Sequence, residues 1–153
     1  MDGDAVEVRL ARDESEIEAA KQLRLRVFAQ EQGFSPEADI DGLDPMATHI
    51  VAMRRGTVVG TCRLRFPRGS CKLERMVVDQ NLRRTGIGTE LVREAELEAR
   101  RRGATEVALH AQVPVEGFYA ACGYVAEGEP FLEEGMPHVQ MRKRLVDAAR
   151  GAA

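Results

Sequence analysis

Two neighbouring stretches, Leu73-Glu74-Arg75-Met76-Val77-Val78-Asp79 and Arg83-Arg84-Thr85-Gly86-Ile87-Gly88-Thr89, decide how this chain is read. The first is a strand-like run, and the second is a glycine turn that carries a pair of arginines. Behind the turn, Glu90 to Arg102 has helical spacing and closes on Gly103, and Thr105 to Gln112 is again strand-like. Strand, glycine turn, helix and strand make a βαβ-type order with an anion cradle at its first crossover. Glycines let backbone N–H groups turn toward a ligand, and the helix N-terminus adds the positive end of its dipole. The ligand so implied carries phosphates.

Rival readings of the turn can be tested on the residues themselves. The dinucleotide fingerprint needs a third glycine, but Leu91 stands three residues after Gly88. The P-loop needs Gly-Lys-Ser or Gly-Lys-Thr, which the chain lacks. A merely capped turn with solvated arginines is the remaining alternative. Cations at a helix N-terminus cost roughly 0.3–1 kcal/mol unless an anion offsets them, which favours the ligand.

The totals bound the rest. At 153 residues the chain suits one domain with a real core. Apolar residues make up 44% and charged ones 31%, as in a soluble globular protein. A net charge of −3 argues against a general nucleic-acid or membrane-surface binder. No apolar run approaches membrane-spanning length, and the acidic start Met1-Asp2-Gly3-Asp4 is unlike a secretory signal. A cytoplasmic protein is expected. Cys62, Cys71 and Cys122 have no C-x-x-C spacing and read as reduced core or strand residues. His49, His110 and His138 are scattered, so no metal site is expected.

Along the chain, Val6 to Leu10 predicts a first strand. Ser15-Glu16-Ile17-Glu18 has the capping-box pattern, with Ser15 as N-cap, and Ile17, Ala20, Leu23 and Val27 recur at helical spacing until Gly33. Phe34 to Pro45 predicts loop or short helix. Thr48 to Met53 and Thr57 to Phe66 are strands joined at Arg55-Gly56, and Pro67-Arg68-Gly69-Ser70 turns into an antiparallel partner, Cys71 to Asp79. On the helix behind the glycine turn, Ile87, Leu91, Ala95 and Ala99 share one face. Glu96/Arg100 and Glu98/Arg102 are spaced as ion pairs on the wet side. A shorter helix from Val115 to Cys122 and closing strands at Tyr124 to Ala126 and Val139 to Leu145 complete a mixed sheet with helices on both faces. The tail after Asp147 is expected to fray.

Here the chain resembles a known superfamily. Arg83-Arg84-Thr85-Gly86-Ile87-Gly88 is similar to the acyl-CoA signature [Q/R]-x-x-G-x-[G/A] of GNAT N-acetyltransferases. Such families usually have, after the next strand, Asn-x-x-Ala-x-x-[Leu/Phe]-Tyr-x-x-x-Gly-[Phe/Tyr], where this chain has Gln112 leading to Phe118-Tyr119 and then Gly123-Tyr124. Val27-Phe28-x-x-Glu31-Gln32-Gly33, His110-Ala111-Gln112 and Phe131-x-Glu133-x-Gly135-x-Pro137-His138 look like the ElaA-like branch. The resemblance runs from about Leu23 to Leu145. It implies a single domain of α/β (mixed α+β) class, with six to seven mostly antiparallel strands splayed at a cofactor wedge.

It also implies acetyl-CoA as co-substrate, with no metal. The pantetheine arm would pair with the backbone of Met76, Val77 and Val78. The pyrophosphate would sit over the N–H groups of Arg84, Thr85, Gly86, Ile87, Gly88 and Thr89, with Arg83 or Arg84 supplying charge and Gln112 and Phe118 nearby. Gln112 stands where Asn is usual, so its capping or cofactor contact is left open.

Transfer to an amine needs a base, because an alkyl ammonium has a pKa of about 10.4. Glu74 is the first candidate and His110 the second. The alternatives are a partner role for Glu74 toward Lys72, Arg75 or another arginine, and a sheet-edge role for His110. A backbone N–H near Met76 or Val77 would hold the oxyanion. Tyr119 would protonate the departing thiolate, as the tyrosine at this motif position does in many proteins the chain resembles. Cys122 has no motif-linked base and is expected to be buried and inert.

Acids in the expected acceptor loops, Glu31, Glu37, Asp39, Asp41, Asp44, Glu129, Glu133 and Glu134, would draw in a cationic amine unless they are simply solvated. The amine could be a small molecule or belong to a peptide or protein, and Glu31 and His138 would bind it. His49 could line the same pocket or serve at a strand end. Neither a nucleic acid nor a membrane is an expected partner, and the chain would act as monomer or homodimer. An acyl-CoA-binding sensor with little catalysis is the main rival. Acyl-homoserine-lactone synthesis, loosely suggested by Arg26-Val27-Phe28, and plain nucleotide binding stand behind it.

Overall fold

The period-two and helical segments become, in chain order, β1 (Glu7–Leu10), α1 (Glu14–Leu25), β2 (Thr48–Arg54), β3 (Thr57–Arg65), β4 (Ser70–Val78), α2 (Ile87–Arg101), β5 (Glu106–Gln112), α3 (Glu116–Ala121), β6 (Val125–Glu133) and β7 (Met136–Arg144). The computed structural model describes residues 5–145, and the expected fraying after Asp147 lies outside them. Seven strands form one sheet in the order β1-β2-β3-β4-β5-β7-β6. By contacts the chain divides into two compact units. The first runs up to Leu64 and adds Arg75–Ala95, and the second takes Arg65–Glu74 and the chain from Glu96 onward.

In the first unit β1, β2 and β3 pair antiparallel, with Leu10 opposite Ile50 and Ile50 opposite Cys62. Ala20, Leu23, Val27, Val51, Val58 and Val77 form its apolar cluster, with Phe28 and Met53 packed against it. Gly60 is what lets α2 approach β3. A Cβ there would stand 3.1 Å from Ile87 Cγ2 and 3.2 Å from Leu91 Cδ1, tighter than most Cβ contacts, so these side chains would have to give way.

Two local expectations change here. The N-cap of α1 is Asp13 rather than Ser15: its Oδ1 accepts from the Glu16 N–H at 2.9 Å, and Glu16 in turn accepts from the Arg12 N–H at 2.8 Å. An ionised aspartate is the stronger acceptor, and Ser15 becomes a donor to it at 2.7 Å. Beyond Leu25 the helix continues as a π segment, Arg26–Glu31, which carries Val27 into the core and leaves Glu31 exposed.

In the second unit β4 and β5 run parallel through Ser70–Glu106, Cys71–Val107 and Lys72–Ala108. β5 pairs antiparallel with β7 over seven residues, and β6 with β7 from Val125–Arg142 to Glu133–Met136. The closing hairpin is thus longer than Tyr124 to Ala126 suggested. Gly128 and Pro130, which read as breakers, fall in a register shift between Glu127 and Phe131. β6 is the sheet's edge, where a missing N–H costs no ladder bond.

Glu96 and Glu98 also depart from the wet side assigned to them, at 6% and 4% exposure. Glu96 accepts from the Tyr124 hydroxyl at 2.9 Å and from Lys143 Nζ at 3.0 Å, while Glu98 does pair with Arg102 at 2.8 Å. Burial, then the Glu96 charge, pushes the Tyr124 hydroxyl well above its ordinary value. The cysteines are unbridged. Burial drives Cys71 up to about 12, whereas Cys122 is only half-buried.

Candidate functional site

The glycine turn is built within the first unit from Asp79 onward. Asp79 N–H donates to Val59 O at 2.8 Å, its Oδ1 accepts from the Asn81 N–H at 3.0 Å, and Thr85 Oγ1 donates to Leu82 O at 2.5 Å. Arg84 and Gly86 take φ of 65° and 93°. For Gly86 no neighbouring atom lies within 4 Å of a would-be Cβ, so its backbone angle, not crowding, calls for glycine. The intrahelical bond from Glu90 N–H to Gly86 O opens the ladder of α2, which leaves the N–H groups of Ile87, Gly88 and Thr89 ahead of it. Gly88 and Thr89 are half-exposed and Ile87 is buried, and these donors, at the positive end of a fifteen-residue helix, fit a pyrophosphate.

The paired arginines have different employments. Arg83 turns back: its Nε donates to Val78 O at 3.1 Å, and its Nη2 lies 2.7 Å from Glu31. Among the described residues Arg84 has no such side-chain partner, and it is exposed. A groove of about 220 Å³ lies beside the turn, lined by Arg26, Gln30 and Glu31 of the π segment and by Asp79 to Asn81.

Just upstream, Arg75 sits in the middle of β4 with φ of 54°. A bulky residue in the left-handed region is strained, and in a strand it kinks the ladder and re-aims the residues beyond it, here Met76, Val77 and Val78. Arg75 is held there by ion pairs to Asp39 at 3.0 Å and Asp41 at 3.2 Å.

The same aspartates meet two arginines that are almost fully buried. Arg24 reaches Asp39 and Asp44 at 2.9 and 2.8 Å, and Arg63 reaches Asp41 and Asp44 at 2.6 and 3.1 Å. Hydrogen bonds from Arg63 hold Asp41 far below the usual carboxylate range. Burial works to raise Asp44, and Arg24 together with Arg63 outweighs it and lowers the group. This corrects the acidic rim: Asp39, Asp41 and Asp44 are neutralised by Arg24, Arg63 and Arg75, and Glu31 by Arg83. His49 is buried beside them, its Nε2 3.0 Å from Asp44 O.

A sequence profile described as "Acetyltransferase (GNAT) domain" matches residues 9–145. The chain belongs to the GNAT acetyltransferase family. It is 36% identical over 135 residues to YjcF of Bacillus subtilis, an N-acetyltransferase described as uncharacterised, covering 88% of this chain and 96% of that one. The crystal structure of an acyl-CoA N-acyltransferase from Pseudomonas aeruginosa superposes with a TM-score of 0.82 at 32% identity, covering 91% and 99% of the two chains. Escherichia coli ElaA superposes at 0.79 with 26% identity, over 91% and 98%. The family, the ElaA-like branch and the mixed, mostly antiparallel sheet of six to seven strands read from the sequence therefore hold, with seven strands observed. Enzymes of this family draw on acetyl-CoA or another acyl-CoA, and acetyltransferases of the GNAT family act on amine acceptors.

The remaining GNAT candidates lie in the second unit. Glu74 is gripped by Arg65, Oε1 to Nε at 2.7 Å and Oε2 to Nη2 at 2.8 Å, the partner role held open for it. Tyr119 is 7% exposed, edge-on to Phe118 at 4.9 Å and to Tyr124 at 6.0 Å; Phe118, expected near the cofactor, is the less buried. Gln112 ends β5 opposite His138, and its side chain makes no capping bond to the next turn.

His110, outward on β5, places Nδ1 2.9 Å from Glu133 Oε1 and its ring edge-on to Phe131 at 4.9 Å. His138, buried, directs Nδ1 at Met136 O at 2.8 Å, with Nε2 3.7 Å from Glu133 Oε2. The structure thus brings His110, Phe131, Glu133 and His138 together, from two motifs that lie apart along the chain. It reveals the Arg24–Arg63–Arg75 cluster and the β4 kink, which sequence spacing missed. Among the described residues no helix is long and apolar enough to cross a membrane, and no group of three or more His, Cys, Asp or Glu is placed to hold a metal ion.

Proposed function

We propose that this protein transfers the acetyl group of acetyl-CoA to a primary amine by direct attack, as a single-domain enzyme. The observation that carries the reading is the turn from Arg83 to Thr89, where left-handed backbone at Arg84 and Gly86 leads into the unbonded N–H groups of α2. Its backbone and the charge of Arg84 hold the pyrophosphate, while Arg83 braces the turn against Glu31. Met76, Val77 and Val78, beyond the Arg75 kink, offer their backbone to the pantetheine arm, and an N–H there receives the developing oxyanion.

Bound acetyl-CoA supplies an activated thioester carbonyl. Tyr119 supplies the proton that the departing sulfur needs, which its burial away from bulk water favours. Replacing it by phenylalanine is expected to lower kcat about 100-fold while acetyl-CoA affinity stays within about twofold. With Asp39, Asp41 and Asp44 neutralised, recognition of a cationic amine falls to the acids outside that cluster, and the acceptor is a small amine or a peptide amine. The protein acts in the cytoplasm, as a monomer or homodimer.

Thiol release from acetyl-CoA across amines, amino sugars, polyamines and peptides tests the reading. Release with at least one class, accompanied by an acetylated product, supports it. Tight acetyl-CoA binding with no release on any class would replace it with the sensor reading.

A further inference from the structure

Resting on the acetyltransferase reading, we propose that His110 is the general base that deprotonates the amine, and that Glu133 is the positioning residue that sets its tautomer. A carboxylate only accepts, so the 2.9 Å contact from Glu133 Oε1 fixes the ring proton of neutral His110 on Nδ1 and leaves the Nε2 lone pair facing outward. A base must carry its lone pair where a substrate can reach it, and the His110 side chain is 32% exposed. Glu74 lacks that availability, because both of its oxygens lie on Arg65.

The second oxygen of Glu133 lies 3.7 Å from His138 Nε2, and His138 is oriented by its Nδ1–H donated to Met136 O. Phe131 stands edge-on to the His110 ring and is stacked on His138 with centroids 6.2 Å apart, which fixes both rings. Of the other charges of this sheet face, Arg142 of β7 is bound by Glu106 and Glu127 and Glu74 of β4 by Arg65, while Lys72 of β4 lies in register with Ala108. The arrangement is a carboxylate–imidazole pair with one open nitrogen.

The chemistry balances. One ammonium proton passes to His110 Nε2, and the positive charge so formed is met by Glu133 through Nδ1–H. The freed nitrogen lone pair forms the C–N bond at the thioester carbonyl, and the C–S bond breaks with its electrons on sulfur. Sulfur takes the Tyr119 hydroxyl proton, the phenolate recovers the second nitrogen proton, and the imidazolium returns its proton to solvent.

Two readouts test this separately. In ¹⁵N-histidine NMR the wild type should show His110 in the Nδ1–H form, and Glu133→Ala should shift it toward the Nε2–H form that unconstrained imidazole prefers. An Nε2–H ring in the wild type, or an unchanged ring in Glu133→Ala, overturns the positioning role whatever the activity. In kinetics, His110→Ala should lower kcat about 100-fold and remove the acid limb of the kcat/KM profile. Glu133→Ala should lower kcat about tenfold with KM for acetyl-CoA unchanged, Glu133→Asp should restore most of the loss, and Glu74→Gln should keep the acid limb. Full turnover in both His110→Ala and Glu133→Ala would overturn the base assignment and leave the acetyltransferase intact. A correctly tautomerised wild type without turnover on any amine would overturn both.

Discussion

Two charged clusters, one in each unit, use the same interaction for opposite ends. In the first, Arg24, Arg63 and Arg75 close on Asp39, Asp41 and Asp44. Arg24 and Arg63 are almost wholly out of solvent, and guanidinium does not give up its proton near neutral pH. Every charge there is matched, so the cluster moves no proton and can only shape the backbone around it, including the kinked β4. In the second, one carboxylate faces two imidazoles, one of them exposed and left with an unused nitrogen. A buried, ion-paired network positions, whereas one with a solvent-exposed titratable nitrogen can carry a proton. The difference lies in residue type and access rather than in the number of ion pairs.

The sharpest way to break that contrast is Arg63→Met, which leaves Asp41 with only Arg75 and Asp44 with only Arg24 as arginine partners. Removing one partner of a buried pair should cost about 3–5 kcal/mol, read as a lower urea midpoint. A loss under about 1 kcal/mol would mean that the cluster is not structural. The same network sets a pH dependence. Asp41 and Asp44 are depressed in the folded chain, so the unfolded chain binds their protons first as pH falls. Their contribution is fully present above an unfolded pKa of about 3.9 and drains away below it. The urea midpoint should therefore fall steeply below about pH 4 in the wild type, and less steeply in a double Asp41→Asn, Asp44→Asn variant.

The second unit also holds a closed network, and it sharpens the comparison from within. Glu96→Ala leaves the Tyr124 hydroxyl and Lys143 without their shared acceptor, and should cost about 1–3 kcal/mol, measured by denaturation. Glu133→Ala, at the half-exposed cluster, should change stability by no more than about 0.5 kcal/mol while it changes kcat. Equal stability losses in the two variants would erase the distinction.

What the sequence made legible was local. Gly86 after a strand and before a helical period, and apolar residues spaced at Ile87, Leu91, Ala95 and Ala99, need only near neighbours to be read. Tertiary choices stayed hidden. Asp39, Asp41 and Asp44 looked like a solvent-facing rim because their partners, Arg24 and Arg63, are fifteen to twenty-two residues away along the chain. Glu96 looked wet because helical spacing cannot see Tyr124 and Lys143 arriving from other elements. The kink at Arg75 had no signal, since a left-handed arginine inside a strand is held by contacts and not by propensity. Gly128 and Pro130 concealed the length of β6 because an edge strand tolerates what an inner one does not. At the candidate site, His110 and His138 were each legible by motif. Glu133 as their common partner emerges only when β5, β6 and β7 are in register.

The central claim is that the glycine turn holds the pyrophosphate of acetyl-CoA, and calorimetric titration of the Arg84→Ala, Gly86→Ala double variant tests it most directly. The variant removes the unpartnered guanidinium and the residue suited to φ of 93°. Acetyl-CoA should bind at least about tenfold more weakly than to the wild type, equivalent to about 1.4 kcal/mol, while S-acetylpantetheine, which lacks the pyrophosphate, binds both alike. Unchanged acetyl-CoA affinity in a folded double variant would contradict the account.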